Sequence, residues 1–383
     1  MFKNLAYVAS TPVIKGASSL LLNLIFIQLY GFNELGKLVP LLTINAILIN
    51  LLDLKLDQSI LSYGAEDVDQ LLSFQIKFSL VLATLLIIPI IFYVTVLNSI
   101  ANIFVVITCI ALIALSRANN ILRVRHEIVL DFKSPRILIA ITEMFSLILV
   151  VLAIYLISPF AIVCFRPLQQ AIERLSYFAL THEKVKTKNT YDGQIWKFST
   201  LVYFTSVIVV IYSSATPIIF PLLFPAGKVF LGKLYFALQL VGYVSILRSI
   251  IYQYAMPLLF DRGSKSLIDD SNPFIILFGL SFGILVISMF YIDLLENVYF
   301  MIFVLAPIGL MRLLNVNNTI AFHRNKNSQI DFYLSILYLM VITFGLYYVF
   351  LVNDMRLIIP VLLVGQLTVF TISYLVFFQL RDK

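Results

Sequence analysis

The chain has 383 residues, of which 61% are hydrophobic and only 12% are charged, and its formal net charge is +7. A soluble domain carries about 25% charged residues, so this composition cannot cover a water-exposed surface of this size. The composition therefore excludes a disordered chain, a nucleic-acid-binding protein and an ordinary soluble enzyme. It predicts that most of the chain is surrounded by lipid.

Long apolar segments follow one another along the chain. A membrane-spanning helix needs about 20 mostly apolar residues, and such runs are too long for the strands of a barrel. The sequence predicts an all-α integral membrane protein with twelve spans, at residues 10–30, 39–60, 73–96, 103–121, 137–157, 161–181, 198–218, 235–258, 274–292, 298–318, 331–352 and 357–379. The first span lacks a small-residue cleavage site and is expected to be retained rather than removed as a signal peptide.

The loops between these spans differ in basic charge. With a cytoplasmic N-terminus, the outer loops hold only Lys37, Lys228, Lys233 and Arg356. The inner segments hold many more Lys and Arg residues, most of them in 117–136 and 182–197. Because cytoplasmic loops are enriched in Lys and Arg, both termini are predicted to be cytoplasmic.

A short internal repeat divides the chain. Residues 31–38 and 227–234 both read G-x-x-x-L-G-K-L, and each occupies the outer connection between the first two helices of a six-helix half. The repeat predicts two six-helix bundles, 1–188 and 189–383, related by a parallel pseudo-two-fold axis along the membrane normal.

No cofactor and no metal are expected from the motifs. The G-x-x-x-x-G-K within each repeat copy is not a P-loop, because Leu38 or Leu234 follows the lysine in place of Ser or Thr. The two cysteines, Cys109 and Cys164, both lie in apolar runs and form neither a disulfide framework nor part of a metal-ligand cluster.

Two regions resemble a known transporter family. They are the helix ends around Tyr30-Gly31, Leu35-Gly36 and residues 51–60, and the turn and helix at residues 217–227 and 253–257. They are similar to bacterial polysaccharide flippases, the Wzx-type O-antigen and capsule transporters of the MATE-like (MOP) superfamily.

The resemblance implies a substrate, a mechanism and a location. The substrate would be an oligosaccharide repeat unit linked through diphosphate to a polyprenyl carrier. The protein would move it from the cytoplasmic to the outer leaflet of the bacterial cytoplasmic (inner) membrane by alternating access. Its partners would be this lipid, membrane lipids and other polysaccharide assembly proteins, without nucleic acid.

Ionisable residues inside membrane spans are costly and are therefore candidates for function. Here basic residues outnumber acidic ones; the set is Lys15, Asp53, Lys55, Asp57, Lys77, Glu143, Arg166, Glu173, Arg174, Arg248 and Arg312. Arg248 and Arg312 lie deepest, and with Arg166 and Lys15 they are predicted to line a cationic, substrate-binding cavity. An Arg fork suits diphosphate because it can bind two oxygens at once.

The acidic residues have competing interpretations. Asp53 and Asp57 are predicted to share one face at the inner end of the second span, with Lys55 pointing elsewhere. They form either an inner gate or interfacial ion pair, a coupling site for protons or sodium, or a magnesium–diphosphate site. Glu143 is a further coupling candidate, paired with an Arg.

Three functions remain open. A flippase is favoured over an ion-coupled small-solute or multidrug exporter, because a cation exporter should have net acidic cavity residues. A polysaccharide polymerase or prenyltransferase would need a large outer loop or paired aspartate motifs, which the sequence lacks. The chain is therefore predicted not to be an enzyme.

Overall fold

The computed structural model describes residues 2–57, 60, 68–96, 103–128, 133–180, 194–242, 298–324 and 329–381, and within them all regular structure is helical. The helices in chain order are α1 Phe2–Leu51, α2 Val68–Val96, α3 Ile103–Ser116, α4 Asn119–Ile128, α5 Lys133–Leu156, α6 Phe165–Leu180, α7 Gln194–Leu223, α8 Lys228–Gly242, α9 Tyr299–Arg324, α10 Gln329–Val352 and α11 Ile358–Arg381. Short 3-10 helices, Pro159–Cys164 and Met355–Leu357, precede α6 and α11.

The surface has the apolar character of a multi-pass membrane protein. Among the described residues, 7 helical segments are long and apolar enough to cross a membrane. Large hydrophobic side chains lie on their outside; Ile88 and Phe104, for example, are 77% and 79% exposed. A soluble monomer rarely exposes wide apolar patches, so these side chains are placed to face lipid.

Helices occupy most of the predicted spans. The third, fifth, eleventh and twelfth predicted spans coincide with α2, α5, α10 and α11 to within a few residues. The ninth predicted span and most of the eighth lie outside the described residues. The total of twelve spans therefore stays a prediction.

The first two predicted spans form two helical arms of α1 that meet at a kink where the backbone is not helical. Gly31 lies at the kink with φ 76° and ψ 176°, a conformation that a side chain would disfavour. The second arm ends at Leu51 rather than at residue 60, and Lys55 then takes φ 58°. The prediction that Asp53 and Asp57 share a helical face is therefore wrong, because the backbone leaves the helix before Asp53.

The predicted sixth span consists of two parts. The 3-10 helix Pro159–Cys164 is capped by the Ser158 hydroxyl, which accepts a hydrogen bond from the Phe160 amide at 3.2 Å. Pro159 fits the first position of such a helix because it has no amide hydrogen to leave unpaired. The chain then enters α6, so Arg166 lies in its first turn.

The chain divides into two compact units. Unit 1 comprises Met1–Leu22 and Pro40–Val210, and its core includes Leu56, Leu71 and Ile121. Unit 2 comprises Asn23–Val39 and Ile211–Lys383, and its core includes Phe26 and Phe236. The boundary predicted between residues 188 and 189 lies outside the described residues.

Candidate functional site

Unit 1 contains a buried ionic cluster formed by α1, α5 and α6. The Arg166 guanidinium donates from Nη1 to Glu143 Oε1 at 2.6 Å and from Nη2 to the Lys15 carbonyl at 2.6 Å and to the Ser19 hydroxyl. Lys15 Nζ lies 3.7 Å from Glu173 Oε2. Of the predicted site residues, Lys15, Glu143 and Arg166 therefore lie together.

Glu143 is the most enclosed member of this cluster. Its side chain is 0% exposed, and its Oε1 also accepts a hydrogen bond from the Ser18 hydroxyl. Its Oε2 is buried and has no hydrogen-bond partner among the described residues. A carboxylate in this position depends on Arg166 for its compensating charge.

The cluster is formally neutral, since two cations, Lys15 and Arg166, face two carboxylates, Glu143 and Glu173. The cations are nevertheless the accessible members; their side chains are 33% and 28% exposed, against 0% for Glu143 and 6% for Glu173. A ligand that reaches this cluster therefore meets positive charge first.

The inner end of α1 carries a second polar cluster. Lys55 Nζ lies 3.1 Å from Asp53 Oδ2, so the prediction that Lys55 points elsewhere is wrong. The positive φ of Lys55 turns its side chain back toward Asp53, which also accepts a hydrogen bond from Asn120 at 2.9 Å. Asp57 pairs with Arg123 at 3.4 Å.

Side chains satisfy four of the carbonyl groups at this helix end, and the Asn50 carbonyl accepts from the backbone amide of Asp53 at 3.3 Å. A helix leaves its last carbonyls without backbone partners. Here the donors are Arg117 to Ile49 at 2.8 Å, Tyr203 to Leu51 at 3.0 Å, Gln75 and Ser79 to Leu52 at 2.7 and 2.8 Å, and Ser199 to Leu54 at 2.6 Å. These hydrogen bonds connect α2, α7 and Arg117, the residue directly after α3, to the end of α1.

Sequence reasoning missed the role of Arg117, which it counted as cytoplasmic loop charge. The residue is only 5% exposed and bonds the end of α1.

Asp53 follows the last membrane-spanning residue, Leu51. Burial alone would raise the Asp53 pKa, but the charges of Lys55 and Arg117 outweigh it and hold that pKa below its usual value. The lowered pKa favours the charged carboxylate that the contact with Lys55 requires.

Unit 2 contains Arg312 on α9. Its Nε donates to Gln366 Oε1 on α11 at 3.3 Å, and its guanidinium lies within hydrogen-bonding reach of the Tyr338 phenol. Among the described residues, no carboxylate lies within salt-bridge distance of Arg312. Asn315, one turn further along α9, accepts a hydrogen bond from Ser373 on α11. The other predicted deep arginine, Arg248, lies outside the described residues.

The two copies of the octapeptide repeat touch each other in unit 2. A Cβ added at Gly36 would overlap the backbone carbonyl of Lys228, and one added at Gly232 would overlap that of Phe32. In each case the sixth residue of one copy packs on the second residue of the other. Close by, the Asn23 amide donates to Gln239 at 2.6 Å.

The whole chain is similar in fold to solved transporter structures. A MATE multidrug transporter, DinF-BH, matches with a TM-score of 0.64 and 14% identity over 98% of this chain and 95% of that chain. A MOP superfamily transporter from Pyrococcus furiosus matches with a TM-score of 0.62 and 12% identity over 98% of this chain and 95% of that chain. The eukaryotic MATE transporter AtDTX14 matches with a TM-score of 0.58 and 12% identity over 98% of this chain and 95% of that chain.

No protein-family model and no curated protein matches the sequence. At these identities the structural likeness defines the fold. The chain is a multi-pass helical membrane protein with the fold of MOP and MATE transporters.

Proposed function

We propose that this protein is a flippase that moves a polyprenyl-diphosphate-linked oligosaccharide from the cytoplasmic to the outer leaflet by alternating access. The proposal places it in the bacterial cytoplasmic membrane, in surface polysaccharide synthesis beside other assembly proteins. It involves no catalytic step and no cofactor. The fold supports transport, and the partly exposed cations Lys15 and Arg166 in unit 1 and Arg312 in unit 2 support an anionic cargo.

One observation carries the choice of cargo. Arg312 is partly buried on α9, which the proposal takes as a membrane span, and its described partners are the neutral Gln366 and Tyr338. A charge at this position is costly unless an opposite charge meets it. A diphosphate supplies that charge and matches the planar guanidinium with two oxygens.

The accessible cations of unit 1, Lys15 and Arg166, agree with this proposal. The same fold can hold binding pockets of different charge. In the transporter from P. furiosus, the reverse polarity of the binding pocket suggests a different function. Fold alone does not fix the cargo, and therefore the charged residues of this chain decide it.

The proposal includes the predicted architecture of twelve helices, two bundles related by a pseudo-two-fold axis, and cytoplasmic termini. The reciprocal contact of Gly36 and Gly232 supports the two-fold relation, because equivalent positions of the repeat exchange equivalent neighbours. A polar face on each bundle would then alternate between the two sides of the membrane.

The test is transport by Arg312 variants. In proteoliposomes, Arg312→Ala is expected to lower the initial rate of movement of a head-group-labelled polyprenyl-diphosphate oligosaccharide by about tenfold or more. Hydrogen bonds to a charged group contribute about 1.5–3 kcal/mol, and each 1.4 kcal/mol is tenfold. The initial rate for Arg312→Lys should fall between those of wild type and Arg312→Ala, because an ammonium keeps the charge but lacks the planar fork of the guanidinium.

Arg356→Ala is the matched control, because Arg356 is an exposed arginine in the connection before α11. It should transport at the wild-type rate. In cells that lack the gene, single lipid-linked repeat units should accumulate, and Arg312→Ala should fail to restore surface polysaccharide. Wild-type transport by a well-expressed Arg312→Ala variant would refute the anionic-cargo proposal.

A second candidate function is an ion-coupled exporter of small solutes. The observation in its favour is Glu143, whose buried Oε2 is without a partner among the described residues and offers a place for a proton. Glu143→Gln mimics the protonated form and is expected to abolish the dependence of export on a proton gradient. Gradient-driven efflux of a cationic dye by wild type, without movement of the lipid-linked sugar, would favour the exporter.

A further inference from the structure

The two cysteines of the chain face each other in unit 1. Cys109 lies on α3, and Cys164 is the last residue of the 3-10 helix that leads into α6. Their sulfur atoms are 3.8 Å apart, and both are free thiols. The chain holds only 2 cysteines, so each is the only residue with which the other could form an intramolecular disulfide.

A hydrogen bond from α1 fixes the position of this pair. The Asn45 amide donates to the carbonyl of Val163 at 2.7 Å, and Cys109 Sγ lies 3.9 Å from the same oxygen. The Val163 carbonyl needs such a donor because the residue four positions on, Pro167, has no amide hydrogen to donate to it. The thiols are thus held in contact by polar groups on both sides of the junction.

The two thiols differ in access. Cys109 is 0% exposed, whereas Cys164 is partly exposed. A small reagent can therefore reach Cys164 first and Cys109 only through it. This is the arrangement of an accessible, reactive thiol next to a resolving thiol.

We propose that Cys109 and Cys164 form a reversible disulfide, and that this site responds to a disulfide-class oxidant. The Cys164 thiolate attacks one sulfur of the oxidant, which breaks the oxidant's S–S bond and releases one thiol. The Cys109 sulfur then attacks Cys164 Sγ, and its proton passes to the departing thiolate, which leaves as the second thiol. The protein loses two thiol hydrogens, and the oxidant is reduced to two thiols.

The bond would tie α3 to the start of α6. Arg166 is two residues beyond Cys164, and its guanidinium lies 4.9 Å from the centre of the Phe165 ring. Short 3-10 segments often mark hinges, and a disulfide between helices restricts their relative movement. Slower transport by the oxidised protein is the expected consequence, which rests on the proposed function.

The site itself is tested on purified full-length protein with dithiodipyridine, a disulfide oxidant whose reduction is followed by its absorbance. Wild type should release two thiopyridone molecules per chain and retain no mixed disulfide, with an intact mass lower by two hydrogens. Cys109→Ser should release one and retain a stable mixed disulfide on Cys164. After denaturation, oxidised wild type should take up no maleimide until it is reduced.

A second probe separates proximity from reactivity. Phenylarsine oxide bridges adjacent thiols and should protect both cysteines of wild type from maleimide. Absence of this protection would refute the juxtaposition, and a stable mixed disulfide on wild type would refute the proposed modification. The transport assay is then repeated on oxidised and reduced protein, with Cys109→Ser as the control that cannot be cross-linked.

The labelling results do not depend on the cargo. If the disulfide forms but no lipid-linked sugar moves in either state, the proposed function fails and the oxidation site stands. If transport proceeds equally fast in the oxidised and reduced protein, the conformational consequence is refuted.

Discussion

Replacing Arg166 with methionine is expected to destabilise the protein by about 3–5 kcal/mol, because it leaves the Glu143 carboxylate buried without its cation. Glu143 is 0% exposed, and Arg166 Nη1 is its partner at 2.6 Å. The same substitution also removes the donor to the Lys15 carbonyl. The free energy of unfolding, measured in detergent micelles by chemical denaturation, reports the loss.

Two further variants isolate the ionic contribution. Replacing both Arg166 and Glu143 with methionine should return the stability to near the wild-type value or above it, since a buried pair exchanged for apolar residues is often neutral or stabilising. Lys37→Met removes a cation from the exposed Lys37–Glu34 pair, whose side chains are 43% and 38% exposed. Its effect should stay below about 1 kcal/mol. Equal losses for Arg166→Met and Lys37→Met would contradict the buried-pair interpretation.

The double variant also separates stability from transport. If Arg166 serves only to balance Glu143, the stable double variant should move the lipid-linked sugar at the wild-type rate. If Arg166 also meets the cargo, transport should remain impaired although the fold is restored.

The positions of the membrane helices could be predicted from the sequence because the length of an apolar run is a local property. The predicted span 331–352 and the helix Gln329–Val352 agree for this reason. The end of α1 could not be placed, because leucines continue past Leu51 to Leu56, alternating with Asp53 and Lys55, although the helix ends at Leu51. Side chains far away in the sequence, such as Ser199 and Tyr203, satisfy the carbonyls that this early end exposes.

The candidate site residues were found by charge, but their partners were not. An ionisable residue in an apolar run is visible in the sequence, so Lys15, Glu143, Arg166 and Arg312 could be selected. The sequence suggested an Arg partner for Glu143 without identifying it, and it gave no sign that Arg117 is buried. Such facts depend on contacts between distant segments: Ser18 and Glu143 are bonded across 125 positions.

The largest packing effect is expected at the octapeptide repeat. Gly36→Ala and Gly232→Ala should each destabilise unit 2 by about 1–3 kcal/mol, the range for an overpacked contact, because the new methyl group meets backbone rather than a flexible side chain. Thermal and chemical unfolding of each purified variant measures the effect. Gly242→Ala on the same helix α8 is the matched control, since a Cβ there meets none of the described residues within 4 Å. It should be neutral or slightly stabilising.

The double variant Gly36→Ala/Gly232→Ala tests whether the two glycines serve one contact. The two positions belong to the same crossing of the 31–38 and 227–234 segments, so their effects should not add. Once one alanine has pushed the two backbones apart, the second has room, and the double variant should lose clearly less than the sum of the single losses. Additive losses would mean that the two glycines act at independent contacts, and the reciprocal crossing of the repeat copies would be refuted. A non-additive loss would instead explain why both copies keep glycine at their sixth position. The two segments can approach each other this closely only if neither position carries a side chain.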